Sequence, residues 1–303
     1  MQAPDDFDPP IGIPQLLEPA VRRITAPNPS PMTYRGTNTY IVGETALAVI
    51  DPGPDSPEHL EAIMAAVQPG QHVSHIIVTH THLDHSPLAR ALGLRTGAPI
   101  LAFGDALAGR SAAMHLLAAG GTIGGGEGID IAFKPDVILR DGDAIKGDGW
   151  QLDVIHTPGH LGNHICLALG NACFTADHVM GWASSLVSPP DGDLSDFMAS
   201  CARLQQREWR VFYPGHGGAI DAPAARLDWL VTHRRARETS ILELLGRGPS
   251  DAATLAAEIY VDTPPALLGA ATRNVLAHLI DLQGRGLATY DTPLTETTVF
   301  KPV

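Results

Sequence analysis

The sequence predicts a mixed α/β (α+β) fold with a small helical unit joined to its C-terminal end. Three observations carry this. Through roughly the first two-thirds of the chain, short apolar, β-branched runs alternate with helix-like ones. After Pro223 the pattern changes to long helical periods, with two short β-like runs closing the chain. Finally, 44% of the 303 residues are hydrophobic, enough to bury a core, yet no window approaches the apolar length of a membrane span.

TNTYIVG (37–43) and ALAVID (46–51) have the composition of paired strands, followed by the turn Pro52-Gly53-Pro54. Ser56-Pro57-Glu58 then opens a helix, with a hydroxyl at the N-cap, proline at the first helical position and an acid in the first turn. HIIVTH (75–80) is a short apolar run suited to a buried strand, and SPLARALGLRTG (86–97) follows it as a helix. Further strands are expected at 98–103, 150–156, 165–169, 172–177 and 210–215, with Gly170-Asn171 as a hairpin turn between two of them. Residues 110–128, ending "AAGGTIGGGEG", hold a helix and a loop that is either a surface insertion or a lid.

Residues 224–245 read as one long helix carrying the basic cluster His233-Arg234-Arg235-Ala236-Arg237, and Gly246-Arg247-Gly248-Pro249 ends it. Helical patterns at 251–260 and 265–283 follow, then β-like runs at 287–290 and 297–300. Three helices and a β-hairpin outline a winged helix. The boundary is placed near residue 240, giving a first domain of residues 1–239, which includes the linking stretch 224–239, and a second of 240–303.

Composition narrows the function. The formal charge of −13 opposes broad electrostatic capture of nucleic acid. Cys166, Cys173 and Cys201 form no CxxC pair and are odd in number, so they read as small buried hydrophobes. The start, MQAPDDFDPPIGIPQ, has neither the basic nor the apolar region of a secretory signal. A cytoplasmic location and no membrane partner are the expectation.

"VTHTHLDHSP" (78–87) crowds His80, His82, Asp84 and His85 at the end of an apolar run. Imidazoles packed this tightly are costly to bury without partners. His80 and His82 share one side of an extended segment, whereas Asp84 and His85 fall where the chain turns into a helix, so one loop can serve two adjacent metals. Three more candidates end apolar runs: His160 in "HTPGH", Asp177 in "CFTAD" and His216 in "YPGHG". Five histidines and two aspartates suffice for a dinuclear site with one bridging carboxylate, and strand ends are rigid mounts for it.

HTHLDH, TPGH, the strand-end aspartate and PGHG, in this order, resemble the motifs of the metallo-β-lactamase superfamily over roughly residues 20–220. The resemblance implies a four-layer αββα sandwich with the site at one edge of its two sheets. It implies that His80, His82 and His160 hold one metal, that Asp84, His85 and His216 hold the other, and that Asp177 bridges them. Asp51, in "VIDPG", would orient a ligand from behind. The stretch 177–204, the "YPGHG" motif and the winged helix are similar to the β-lactamase-like protein 2 group along nearly the whole chain. One departure is "TPGHL", where Leu161 replaces a small hydroxyl residue.

His156, His164 and His178 sit beside these candidates and read as supporting or core residues, with His178 the best of them as a substrate contact or proton donor. His59, His72, His75, His115, His233 and His278 read as surface or helix residues. Two zinc ions are expected, with iron or manganese as alternatives. Metals about 3.5–4 Å apart bring a bridging water toward a pKa of about 7, so the reaction class is hydrolysis by a metal-bound hydroxide held by Asp84 and Asp177. The expected substrate is a small ester, thioester or lactone. Single-stranded RNA is the alternative that the β-lactamase-like protein 2 resemblance suggests, and a di-iron redox module is the third. Residues 240–303 hold four basic residues (Arg247, Arg273, Arg285, Lys301) against seven acidic ones, which is not the face of a nucleic-acid reader. There the winged helix can instead pack on the catalytic domain, cover part of the site or dimerise with a second copy, and Arg234, Arg235 and Arg237 would pair with acids across the domain interface. With no secretory signal and no cysteine among the ligands, a β-lactamase proper is not expected.

Overall fold

In the computed structural model, which describes residues 6–291 and 293–303, two sheets stack face to face. The beginning of the stretch read as lacking a secretory signal, residues 1–5, lies outside the described residues. The first sheet runs in chain order: β1 (Gln15–Glu18), β2 (Val21–Thr25), β3 (Asn38–Val42), β4 (Ala46–Ile50), β5 (His72–Ile77), β6 (Ile100–Ala102) and β7 (Val137–Ile138). It is antiparallel as far as β4 and parallel from there on, because α1 (Pro57–Ala65) and α2 (Leu88–Thr96) supply the crossovers. Ser56 caps α1 by accepting from the His59 amide, with Pro57 at the first helical position.

The connection from β6 to the parallel β7 carries α3 (Ala112–Gly120), whose Leu117 packs against the C-terminal core. The second sheet joins β8 (Ala144–Gly147), β9 (Trp150–His156), β10 (Ile165–Leu169), β11 (Ala172–Ala176) and β12 (Val211–Pro214) in the spatial order β12-β11-β10-β9-β8. The connection from β11 to parallel β12 carries α4 (Leu194–Gln205), capped by Asp193 and not anticipated from the sequence. Four strands also went unforeseen: β1, β2, β7 and β8.

Three apolar layers hold the sandwich. Ile50, Ile77, Leu152, Leu167 and Phe174 interdigitate between the sheets. Ile63 of α1 and Leu92 of α2 cover the outer face of the first sheet, over Ile41 and Val49. Phe197 and Cys201 of α4 cover the outer face of the second, over Cys166 and Phe212. The layers are therefore helix, sheet, sheet, helix.

Helix α5 (Pro223–Leu245) runs without a break through residue 240. Its Leu227 and Leu230 pack on the second sheet's outer layer, while Ile241 and Leu245 enter a separate core with α6 (Ala252–Ile259), α7 (Leu268–Gly284) and Phe300. A short ladder, β13 (Ala288–Thr289) with β14 (Lys301–Pro302), completes the winged helix. The second wing strand thus lies just beyond the expected 297–300, where Thr298 instead turns back to the Thr295 carbonyl. Against the expectation, none of the ion pairs among the described residues involves Arg234, Arg235 or Arg237. Arg234 is buried and donates to Asn274 Oδ1 and the Ser185 carbonyl, and Arg237 lies over the Tyr260 ring.

Candidate metal centre

The two sheets meet at the ends of β3, β4, β5, β11 and β12. There Asn38 ties them together: its amide donates to the Gly215 carbonyl at 2.7 Å, and its side chain to the carbonyls of Pro214 and Gly217. Two non-glycine residues at this edge have left-handed backbone, Asp51 at φ 49° and Ala176 at φ 41°. Such conformations persist where the surroundings over-determine them, and here they turn Asp51 and Asp177 off their strand ends.

All seven candidate ligands converge in two adjoining cradles. In the first, His82 Nδ1 stands 3.0 Å from both His80 Nε2 and His160 Nε2, with Asp177 Oδ2 at 3.9 and 3.7 Å from the latter two. In the second, Asp84 Oδ2 lies 3.3 Å from His85 Nε2 and 3.1 Å from His216 Nε2, and Asp177 Oδ1 closes it at 3.5 and 3.4 Å. Asp177 presents one oxygen to each cradle.

The far side of each ring fixes which nitrogen faces inward. His160 donates from Nδ1 to the Leu186 carbonyl (2.6 Å), His216 to the Gly36 carbonyl (3.2 Å), and His85 to Asp51 Oδ2 (2.9 Å). Thr79 Oγ1 donates to Asp51 at 2.7 Å, leaving its oxygen to accept from His80 Nδ1 at 3.0 Å. In the neutral form of these four rings the inward nitrogen, Nε2, is then a lone pair.

This donor set fits a cation. One Nδ1 proton on His82 cannot serve two neighbouring imidazoles, and His85 Nε2 and Asp177 Oδ1 are buried without a hydrogen-bond partner. Burial, with His85 and then His82 adding to it, pushes His80 well below its ordinary range; burial and His160 take His82 down to about 3, so these rings are neutral donors. In the second cradle burial is outweighed. The carboxylates Asp177 and Asp84 push His216 up to about 10 and raise His85, while those imidazoles hold Asp84 and Asp177 well below the usual carboxylate range. Protons balance there the charge that a metal would balance.

Gly215 is required by space. A Cβ at that position would sit 2.4 Å from Asp177 Oδ1 and 2.8 Å from His85 Cε1. The glycine of "YPGHG" thus leaves room for the cradle as well as turning the chain. Leu161, the departure from the expected motif, is buried with Ala106 and Ile129 in a small apolar cluster of its own.

His178 does not reach the cradles, which corrects its reading as proton donor or substrate contact. It is fully buried, with Nε2 3.5 Å from Cys201 Sγ and its ring against Phe197. His164 packs beside His80 and bonds Thr157, and His156 stacks on Phe103. His59 and His278 lie on helices but are buried.

The cradles form the floor of a cavity of about 680 Å³. Met32 and Thr33 border it, as do the glycine loop 124–128, Ser188 and Asp191, and from the C-terminal unit Gly269, Ala270, Thr272, Arg273 and Leu276. The sequence offered covering of the site by the winged helix as one option but named none of these residues, and it missed Thr37, whose hydroxyl donates to Asp84 Oδ2 at 3.1 Å. Thr37 begins the strand-like run TNTYIVG, and a hydroxyl just ahead of a strand end was the available signal.

An αββα sandwich with a His/Asp cluster at its sheet edge defines a class of metal-binding hydrolase folds. A profile described as the metallo-beta-lactamase superfamily matches residues 32–222, and one described as the beta-lactamase associated winged helix domain matches residues 252–292. The chain belongs to the metallo-beta-lactamase superfamily. A Drosophila melanogaster protein named beta-lactamase-like protein 2 homolog is 29% identical over 288 residues, spanning 89% of this chain and 92% of the relative. An atrochrysone carboxyl ACP thioesterase of a Cryptosporiopsis species is 28% identical over 246 residues, covering 78% of this chain and 66% of its own. The crystal structure of a beta-lactamase domain protein from Burkholderia ambifaria matches 100% of this chain and 97% of that one with a TM-score of 0.81 at 21% identity, a likeness of fold. No helix among the described residues is long and apolar enough to cross a membrane.

Proposed function

We propose that the protein is a dinuclear, zinc-dependent hydrolase of small esters, thioesters or lactones. The observation that carries this is the floor of the cavity, where Asp177 offers one oxygen to each of two three-ligand cradles. His80, His82, His160 and Asp177 would hold one ion, and Asp84, His85, His216 and Asp177 the other. A metal pair held there supplies a hydroxide near neutral pH and polarises the carbonyl under attack. The chain's own part is orientation: Asp51 and Thr79 fix His80 and His85, and Thr37 fixes Asp84.

The choice of a neutral carbonyl substrate rests on the cavity wall. Among the described residues, Arg273 is the one arginine or lysine on it, and its donors are already engaged by Ser188, Glu296, Gly124 and Pro189. A phosphodiester would find Asp191, Glu127 and Glu296 instead. The relative named as a thioesterase supports the same reading. The RNA reading rests on the motif resemblance to the β-lactamase-like protein 2 group, but Arg234, the first arginine of the basic run 233–237, is buried away from any phosphate.

The test loads the protein with zinc and offers it single-stranded RNA at several salt concentrations beside a panel of neutral thioesters, esters and lactones. Turnover of a neutral thioester or ester with RNA untouched is expected. RNA cleavage that falls with salt, with the panel untouched, would replace this reading with a nuclease.

A further inference from the structure

The glycine loop that borders the cavity is bolted to the C-terminal unit. Ile123 is buried in the C-terminal core beside Leu276 and Leu294, with Leu117 packed against the same core. Thr122 Oγ1 donates to the Leu294 carbonyl at 2.6 Å, and the Gly124 amide donates to Glu296 Oε1 at 3.1 Å. From the other side Asp191 accepts from the Gly126 amide at 2.6 Å and from Arg110 Nη2 at 2.5 Å.

Arg273 on α7 stands where these strands of contact cross. Its Nε donates to Ser188 Oγ at 2.8 Å, its Nη1 to Glu296 Oε1 at 3.0 Å, and its Nη2 to the carbonyls of Gly124 and Pro189. Only a fifth of the side chain is exposed. A guanidinium has five donors in a rigid fork, so one side chain fixes three separate segments at once. Beside it α7 presents Gly269 to the cavity, where an added Cβ would meet nothing within 4 Å.

We propose that Arg273 is the positioning residue that builds the substrate pocket. It fastens the glycine loop and the Ser188–Pro189 segment to α7, so that α7 sets the size of the acyl group accepted. The inference rests on the hydrolase reading for its substrate, but not for the clasp itself. Loop 122–128, which the sequence leaves open as insertion or lid, is then a fixed wall made jointly by the two units. Arg273 touches no reacting atom. Its removal frees the wall while the ligands on the sheet edge stay in place.

The experiment compares zinc-loaded wild type with Arg273→Ala, Arg273→Lys and Gly269→Leu. Backbone hydrogen exchange across 122–128 should rise about tenfold or more in Arg273→Ala, with residues 78–85 protected as in wild type and Arg273→Lys intermediate. With thioesters of short and long acyl chain, Arg273→Ala should raise KM for the long chain about tenfold while kcat moves less than about threefold. Gly269→Leu, whose Cβ meets no protein atom within 4 Å, should lower the long-to-short ratio of kcat/KM about tenfold. Unchanged exchange in Arg273→Ala, or zinc loss there, overturns the clasp. An unmoved ratio in Gly269→Leu overturns the role of α7. Should wild type turn over no ester or thioester, the hydrolase reading fails, and exchange alone still decides the clasp.

Discussion

Asp51 Oδ2 lies 2.9 Å from His85 Nδ1 and also accepts the Thr79 hydroxyl that holds His80, so one carboxylate behind the site orients a ring in each cradle. It is buried and adds a third bond from the Thr79 amide through Oδ1 at 2.8 Å. Asp51→Ala should lower zinc affinity about 10- to 100-fold, the usual cost of losing such a partner. Elemental analysis after dialysis against a weak chelator reads it. Full zinc content at wild-type affinity would contradict the orienting role.

Asp177 and His178 are neighbours in sequence with opposite surroundings, one facing both cradles and the other facing Cys201 and Phe197. Asp177→Ala should therefore deplete both ions. His178→Ala should leave close to two zinc ions per chain and cost stability instead, about 2–4 kcal/mol for emptying a filled core position. Equal zinc loss in the two variants would undo this division.

The site was legible in the sequence because its residues cluster in short motifs at strand ends, where one period of alternation assigns sides. The long apolar strands β9, β10 and β11 were legible for the same reason. What escaped were elements held by tertiary contacts. Strand β2 carries Arg22 and Arg23 in its middle, and the Arg22 head group finds the carbonyl of Ala66, the residue that caps the C-terminal end of α1, at 2.7 Å. Strand β7 is two residues long and exists by pairing with β6. The α7 wall has no local signature, since Gly269 and Arg273 acquire their roles only when the winged helix packs over the cavity. Helix α5, which the sequence divides between two domains at 239/240, contributes side chains to both cores.

Gly215→Ala should be far costlier than a surface glycine substitution. Its Cβ would have to displace Asp177 Oδ1 or the His85 ring, both buried. A loss of about 1–3 kcal/mol in stability and of zinc from the second cradle is expected, read by urea unfolding and elemental analysis. Gly70→Ala, where a Cβ meets nothing but φ is 87°, controls for backbone strain alone and should keep both ions.

His278 sets an acid limit on stability. Burial, and then Arg234, His233, Arg285 and Arg237 around it, push its pKa down to about 3, and neither ring nitrogen has a hydrogen-bond partner. The unfolded chain takes up this proton near pH 6.5 while the folded one does not, so stability is full above that pH and falls as pH drops toward 3. His278→Leu should abolish this component, losing about 2 kcal/mol less than wild type between pH 7 and pH 5. Urea midpoints at the two pH values measure it. Parallel losses in both proteins would exclude His278 as a source of acid sensitivity.

Asn274 links the C-terminal unit to a candidate ligand. Its Oδ1 accepts from Arg234 Nη1 at 2.9 Å and from the Val187 amide at 3.0 Å, and the adjoining Leu186 carbonyl accepts from His160 Nδ1. None of the ion pairs among the described residues involves Arg234, so this amide oxygen is a principal acceptor for a buried cation. Asn274→Leu strips two buried donors of it at once, and a loss of about 2–4 kcal/mol is expected, with zinc binding weakened because the Leu186 carbonyl is freed to move. Asn274→Asp keeps the acceptor and gives Arg234 a counter-charge, so its melting temperature should equal or exceed that of wild type. If the aspartate variant melts as low as the leucine variant, shape at this position matters and the hydrogen bonds do not.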